Sequence, residues 1–419
     1  RYLKGSCLFR PCQRLEQPPS RKIGALRVFH SGVGTVDIDL SVRFAEIELE
    51  NPLVVSPAGI TGTVERIRKA EQAGCGAVVM KTLFEDEVTR SSPTPRFRVI
   101  TRRDGSPPSF VLYSFEQASP FGPERYCEEL RAAKDRTNIP VIASIGCMRD
   151  ESWKSYAAMV ERAGADAVEL NVSCPHGRAL LQGADMAEEM CRVTQLVSEE
   201  VSIPVIPKMT PQLSSPTDAA LRLERSGADG VVMFNRFTGL DIDLENRRPI
   251  MHGSFAGHGG PWSLYYVLRW IIATSPRLSI PIAASGGIWS GEDVAKAICC
   301  GAAVTQVCSS IVVNGYGRIS SILGQLEEVL DRMGAHSISE ISGCACGKVL
   351  STDQVDRRRR FSARVDPSKC TGCRICERVC IYDAVSLGPD GTAQIGDSCD
   401  GCGLCAELCP SEAISLQPL

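Results

Sequence analysis

Two groups of residues in this chain have the types and spacing to do chemistry. The first is a double run of cysteines near the C-terminus, Cys370-x2-Cys373-x2-Cys376-x3-Cys380 and Cys399-x2-Cys402-x2-Cys405-x3-Cys409-Pro410. Thiolates are soft, charged donors that stabilise iron–sulfide cores, and an x2 spacing lets one turn wrap three corners of a cube. Two such runs form the bacterial pattern for two [4Fe-4S] clusters, the fourth cysteine of each run ligating the other cluster. Cys370, Cys373, Cys376 and Cys409 are therefore expected to hold one cluster, and Cys399, Cys402, Cys405 and Cys380 the other. Cys380 is followed by Ile381 instead of the usual proline, and zinc is the competing occupant. The second group lies in Ala167 to Gly177, AVELNVSCPHG, where a mainly apolar run leads into Asn171, Ser173, Cys174, Pro175 and His176. An amide, a hydroxyl, a thiol and an imidazole at one strand end can address a small heterocycle rather than a polymer. A buried structural cysteine beside a turn-forming Pro-His-Gly is the alternative reading.

Chemistry at the C-terminal end of a strand is the arrangement of an α/β barrel, and the surrounding chain has that rhythm. From Asn51 a βα unit repeats eight times, with strands expected at Leu53 to Pro57, Ala77 to Thr82, Val141 to Gly146, Ala167 to Val172, Val205 to Met209, Gly230 to Phe234, Pro281 to Ser285 and Val304 to Cys308. Helix-period segments intervene, among them Val64 to Ala73, Ser152 to Ala163, Asp218 to Arg225 and Ile319 to Met333. Four helix-to-strand turns, QAGCGAV, RAGADAV, RSGADGV and CCGAAV, place a glycine at the helix end, as a C-cap does. Ahead of the first strand, the alternation from Val36 to Glu50 reads as a β-hairpin that plugs the bottom of the barrel. Phe84 to Pro123 and Gly239 to Pro261 are too long for bare connections, and long loops on that face usually cover a substrate. After strands seven and eight, Ser285-Gly286-Gly287 and Cys308-Ser309-Ser310 are small enough for backbone N–H groups to close around a phosphate.

The expected architecture is a (β/α)8 TIM barrel over 37–342 and a small α+β domain with two [4Fe-4S] clusters over 365–419, joined by a linker at 343–364. Residues 1–36 are basic and aperiodic and read as a disordered extension or an incorrectly assigned start; a metal site at Cys7 and Cys12 is a weak alternative. The linker carries Cys344-Ala-Cys346 and four successive arginines, Arg357 to Arg360, which suit either docking of a partner or simple solvation. A net charge of -3 argues against a nucleic-acid surface, and no apolar run reaches the roughly eighteen residues of a membrane span. Eight of the twenty cysteines have cluster spacing and no export signal is recognisable, so a reducing, oxygen-poor cytoplasm is the expected location.

The stretch NVSCPHG resembles the active-site motif of dihydropyrimidine dehydrogenases and, less closely, that of class 1 dihydroorotate dehydrogenases; the resemblance runs from about Asn51 to Pro410. It implies a flavin mononucleotide in the barrel, held by Pro57, Ala58, Lys81, Thr82, Lys208, Ser263, Ser285, Gly286, Gly287, Cys308 and Ser309. The ammonium groups of Lys81 and Lys208 would face the electron-rich edge of the flavin ring. It further implies Cys174 as the general acid or base opposite the flavin, Asn171 and Asn235 on the imide edge of a ring substrate, and Ser173 and His176 as orienting groups. Flavin and iron–sulfur clusters together make an electron wire. There is no dinucleotide-binding glycine fingerprint, so NAD(P)H would be handled by an FAD- and NAD-binding partner subunit of a homo- or hetero-oligomer. Three departures bear on substrate: Ser114 stands where the pyrimidine enzymes have an asparagine, Arg236 follows Asn235 in place of a threonine, and Ser263 replaces a glycine. The readings are a dihydropyrimidine dehydrogenase-like oxidoreductase acting on uracil, thymine or a modified ring; a dihydroorotate dehydrogenase with a fused ferredoxin domain; or a non-catalytic electron-transfer module.

Overall fold

The computed structural model describes residues 38–85, 94–102, 109–114, 119, 121–172, 185–250 and 255–419. Residues 1–36, with Cys7 and Cys12, lie outside the described residues. Eight parallel strands close on themselves: β1 (Leu53–Val55), β2 (Ala77–Val79), β3 (Val141–Gly146), β4 (Ala167–Leu170), β5 (Val205–Met209), β6 (Val231–Met233), β7 (Ile282–Ser285) and β8 (Val304–Val307). Pairing of β8 with β1 completes the circle. The helices α1 (Val64–Gln72), α2 (Pro123–Arg136), α3 (Asp150–Arg162), α4 (Met186–Ser198), α5 (Pro216–Arg225), α6 (Leu264–Thr274), α7 (Gly291–Cys299) and α8 (Gly317–Met333) alternate with them. This is a TIM barrel, as expected, with strand positions matching to within three residues.

The four glycine turns explain how the rhythm is kept. Gly74, Gly164, Gly227 and Gly301 all have φ near +90 to +100°, a left-handed conformation in which a side chain would be strained, so each helix stops and the chain turns back to a strand. Alternation along the strands then sorts the interior into layers. Val54, Val79, Ile142, Ala167, Ile206, Val232, Ala283 and Val304 form one apolar layer. It is capped from below by Phe44, Ala45 and Leu49 of the hairpin Val42–Phe44 and Ile47–Leu49, which is the expected plug. The next inward position on each strand, two residues on, brings in Ser56, Lys81, Ser144, Glu169, Lys208, Phe234, Ser285 and Gln306. The barrel is therefore apolar below and polar above.

The two long connections meet over the mouth. Phe97–Arg102 and Ser109–Ser114 pair antiparallel, and the sheet continues through Ala256–Gly259 to Phe237–Gly239. What reads in sequence as two covering loops is thus, in its described part, one four-stranded sheet built from segments more than a hundred residues apart.

C-terminal to the barrel, Gly343 N–H donates to the Ile298 carbonyl and Ala345 N–H to that of Cys299, so the stretch read as a linker begins docked on the end of α7. The last unit pairs Phe361–Val365 with Ile414–Pro418 and Val385–Leu387 with Ala393–Ile395, with short helices at Ile375–Val379 and Leu404–Glu407. Ala363, Cys405 and Ile414 form its own small core.

Candidate active site and electron-transfer centres

The polar layer and the covering sheet enclose one cavity of about 1170 Å³, counting the open space at its mouth. Every expected contact that is described faces it: Ser114, Asn171, Asn235 and Arg236 on the substrate side, and Pro57, Ala58, Lys81, Thr82, Lys208, Ser263, Ser285, Gly286, Gly287, Cys308 and Ser309 on the cofactor side. Ser173, Cys174 and His176 lie outside the described residues; Asn171 and Val172, buried at the end of β4, are the last described positions before them.

The amides are tied together. Asn235 Nδ2 donates to Asn171 Oδ1 at 2.9 Å, and Asn171 Nδ2 reaches Thr82 Oγ1 at 3.2 Å, which in turn lies 2.9 Å from Ser144 Oγ. Strand ends β2, β3, β4 and β6 are thereby locked in mutual register around the cavity. Arg236 lies along the covering sheet: its Nη1 donates to Ser114 Oγ at 3.2 Å, and a Cβ on Gly257 would sit 2.0 Å from its Cδ. A glycine at 257 is what leaves room for the guanidinium at the cavity wall. Of the acids that follow it closely in sequence, Asp241 is 3.3 Å from Arg98, and Asp243 accepts from Asn246.

The turn after the neighbouring strand β7 has the backbone form expected of a phosphate-binding turn. Gly286 and Gly287 have φ of 113° and 78°, and a Cβ on Gly287 would fall 2.2 Å from the Leu264 nitrogen. Backbone so close to α6 admits no side chain, and it leaves peptide N–H groups to face a ligand. Ser263, the residue departing from glycine, is buried and donates to the Gly260 carbonyl at 2.9 Å, so its hydroxyl is absorbed locally. These features, with the cationic Lys81 and Lys208 on the floor, fit the phosphate and electron-rich ring of flavin mononucleotide.

Three residues at the site escaped the sequence reading. His258, on the covering sheet, lines the cavity, packs tilted by 59° against Tyr113 at 4.9 Å between centroids, and has a buried Nε2 without a hydrogen-bond partner among the described residues. Burial lowers its pKa, which favours the neutral imidazole. Glu169 and Gln306 sit in the polar layer, where they bracket Lys208. The period-two pattern was the available signal, since Glu169 precedes Asn171, and Gln306 precedes Cys308, by two residues.

In the C-terminal unit, a separate cavity of about 340 Å³ is lined by Cys370, Cys373, Cys376 and Cys409, the set expected for one cluster. Backbone N–H groups of Ala393 and Ala413 point at Cys370 Sγ and Cys409 Sγ, at 3.4 and 3.3 Å, and that of Ala384 points at Cys380 Sγ at 3.3 Å. Such donors favour thiolate, the form that binds iron.

The family model described as dihydroorotate dehydrogenase matches residues 39–330, and two models described as 4Fe-4S binding domain match 362–385 and 395–415. The chain belongs to the dihydroorotate dehydrogenase family. Among curated relatives it is 31% identical to the NAD-dependent dihydropyrimidine dehydrogenase subunit PreA of Escherichia coli (strain K12), over 82% of this chain and 86% of that protein. It is also 31% identical to the catalytic subunit of dihydroorotate dehydrogenase B (NAD(+)) of Pyrococcus furiosus, over 74% of this chain and 99% of that one. The corresponding subunit of Methanosarcina mazei is 32% identical over 71% and 93%. Family membership makes the chain an oxidoreductase acting on a CH–CH group, with flavin mononucleotide and two [4Fe-4S] clusters as its cofactors. The zinc alternative is not favoured. No helix among the described residues is long and apolar enough to cross a membrane.

Proposed function

We propose that this dehydrogenase interconverts a C–C single and double bond next to a carbonyl in a dihydropyrimidine-like ring, with Cys174 moving the proton. The observation that carries the reading is the hydrogen-bonded pair Asn171 and Asn235, facing one cavity with Lys81 and Lys208. Two amides side by side present donors and acceptors complementary to an imide edge. Flavin mononucleotide, when bound, exchanges a hydride with the ring and passes electrons onward singly. The chain's own part is to hold the ring by the two amides and to cover it with the sheet that carries Ser114, Arg236 and His258. Cys174, three residues beyond Asn171, delivers or takes the proton at the ring carbon. A thiol of ordinary pKa near 8.5 is mostly protonated at neutral pH and so suits a general acid. Ser173 and His176 orient it from the same segment.

Arg236 favours a second reading of the substrate. A guanidinium at the cavity wall is suited to a carboxylate, so a carboxylated ring such as dihydroorotate is the competing substrate class. A non-catalytic electron-transfer role is the weaker reading, because the site residues that are described surround an intact cavity. The two clusters imply that electrons come from or go to a separate FAD- and NAD-binding subunit in a hetero-oligomer, and a cytoplasmic location is in keeping with their oxygen-sensitive thiolate ligation. The test is turnover of the purified, cofactor-loaded chain against uracil, thymine, dihydroorotate and carboxylated analogues. Activity on none of them, with an artificial electron donor or acceptor supplied, removes the proposal.

A further inference from the structure

Beneath the cavity lies a buried carboxylate that the reaction does not use. Glu169 on β4 is 1% exposed and does not itself line the cavity, whereas Lys208 on β5 and Gln306 on β8, 4% and 3% exposed, do. Lys208 Nζ lies 3.3 Å from Glu169 Oε1 and donates to Gln306 Oε1 at 2.6 Å, and Gln306 Nε2 donates to Glu169 Oε2 at 2.6 Å. The orientation of the Gln306 amide follows from its neighbours: reversed, it would set its NH2 group against the ammonium and its oxygen against the carboxylate. Ser56 Oγ completes the arrangement by donating to Gln306 Oε1 at 3.4 Å. Three strands thus close a ring of hydrogen bonds around one ammonium group.

A buried ammonium such as that of Lys208 needs an opposite charge beside it. Of the groups around it, Lys81 on β2 works against its charge. Tyr126 on α2 holds its hydroxyl 3.3 Å from the Ser144 carbonyl, and its ionisation is opposed chiefly by burial, so it stays neutral. β6 contributes only Val232 and Phe234 at these levels. No carboxylate is among the described residues lining the cavity, which leaves Glu169 as the counter-charge.

We infer that Glu169 is a positioning residue for the flavin site: as the counter-charge of the Lys208 ammonium it holds that group in place and, through Gln306, aims it into the cavity. A fixed positive charge then stands where negative charge gathers when the cofactor is reduced. The inference rests on the reading of Lys208 as a flavin contact.

The sign of one measurement separates this role from that of a bystander. Glu169→Gln keeps the size and most hydrogen bonds but removes the counter-charge that holds the buried ammonium, so the reduced cofactor loses its neighbouring cation. The flavin midpoint potential should move negative, by at least a tenfold change in preference for the reduced form, about 30 mV for a two-electron couple. A bystander carboxylate would act oppositely, since removing a negative charge beside a lysine that stays in place moves the potential positive. A positive shift, or none, overturns the inference.

Lys208→Met distinguishes this from failure of the underlying reading. A negative shift there beside an unmoved Glu169→Gln sinks the inference alone, whereas unmoved potentials in both remove Lys208 from the flavin contact. Should Glu169→Gln not fold, the double variant Glu169→Gln/Lys208→Met leaves no uncompensated charge. Its potential should equal that of Lys208→Met, because Glu169 acts on the flavin only through its lysine; a further positive shift overturns the inference.

Discussion

The most informative perturbation is Arg236→Thr, because Arg236 is the wall residue whose chemistry discriminates between ring substrates. Its Nη1 sits 3.2 Å from Ser114 Oγ, on a sheet that lies over the cavity and is partly shielded from water. A charge-assisted hydrogen bond from such a guanidinium to a substrate carboxylate contributes about 1.5–3 kcal/mol. At about 1.36 kcal/mol per tenfold, a carboxylated ring should lose roughly 10- to 150-fold in kcat/KM. Because Arg236 is only half-buried, the lower end of that range is the expected one. Losing the Ser114 contact should cost about 1 kcal/mol of stability, small enough to leave the protein folded. The assay is steady-state turnover of both proteins on uracil and on a carboxylated pyrimidine at matched cofactor content. Carboxylate preference should fall while neutral-ring activity holds or rises. Equal losses on both substrates would show that Arg236 supports the covering sheet and says nothing about charge on the substrate.

The remaining predictions concern other parts of the molecule. Cys174→Ala should retain flavin but lose about 10²- to 10⁴-fold in turnover, since it removes a proton donor and no cofactor contact; unchanged steady-state rates would remove Cys174 from the reaction. Gly287→Ala combines a left-handed φ of 78° with a Cβ 2.2 Å from backbone, so the protein should lose flavin on desalting while keeping its far-ultraviolet circular dichroism; full flavin retention would show that this turn does not close on the phosphate. Anaerobic metal analysis should find about eight irons with matching acid-labile sulfide, and zinc in their place would refute the cluster assignment. Burial pushes the thiols of Cys75 and Cys299 up from 9.0 to about 12, helped at Cys75 by Glu71 and at Cys299 by the hydrogen bond with Cys344. A group raised on folding contributes stability that is whole below pH 9 and is lost as pH climbs toward 12. Alkylation at pH 8.5 followed by mass spectrometry should therefore spare both thiols in the folded protein and label them in urea, and equal labelling would contradict the burial argument.

What could be read from the sequence, and what could not, divides along the range of the interactions. Barrel strands and glycine turns are local signals: an apolar run of four or five residues, and a glycine whose φ near +90° no side chain tolerates, each announce themselves without reference to anything distant. The cluster cysteines are legible for the same reason, because their spacing is the geometry. The covering sheet is not, since Ser114 pairs with Gly257 across more than a hundred residues and the register is set by tertiary packing over the mouth. Glu169 shows where local reading and global structure conflict. Within AVELNV a single acid reads as a tolerated interruption of a strand, and nothing nearby in sequence offers it a partner. Strand alternation does place it inward, one step below Asn171, and a buried carboxylate without a counter-charge would be too costly to keep. The sequence therefore already demands a cation from another strand. Closure of the barrel supplies Lys208 as that cation, with Gln306 as the bridge between them.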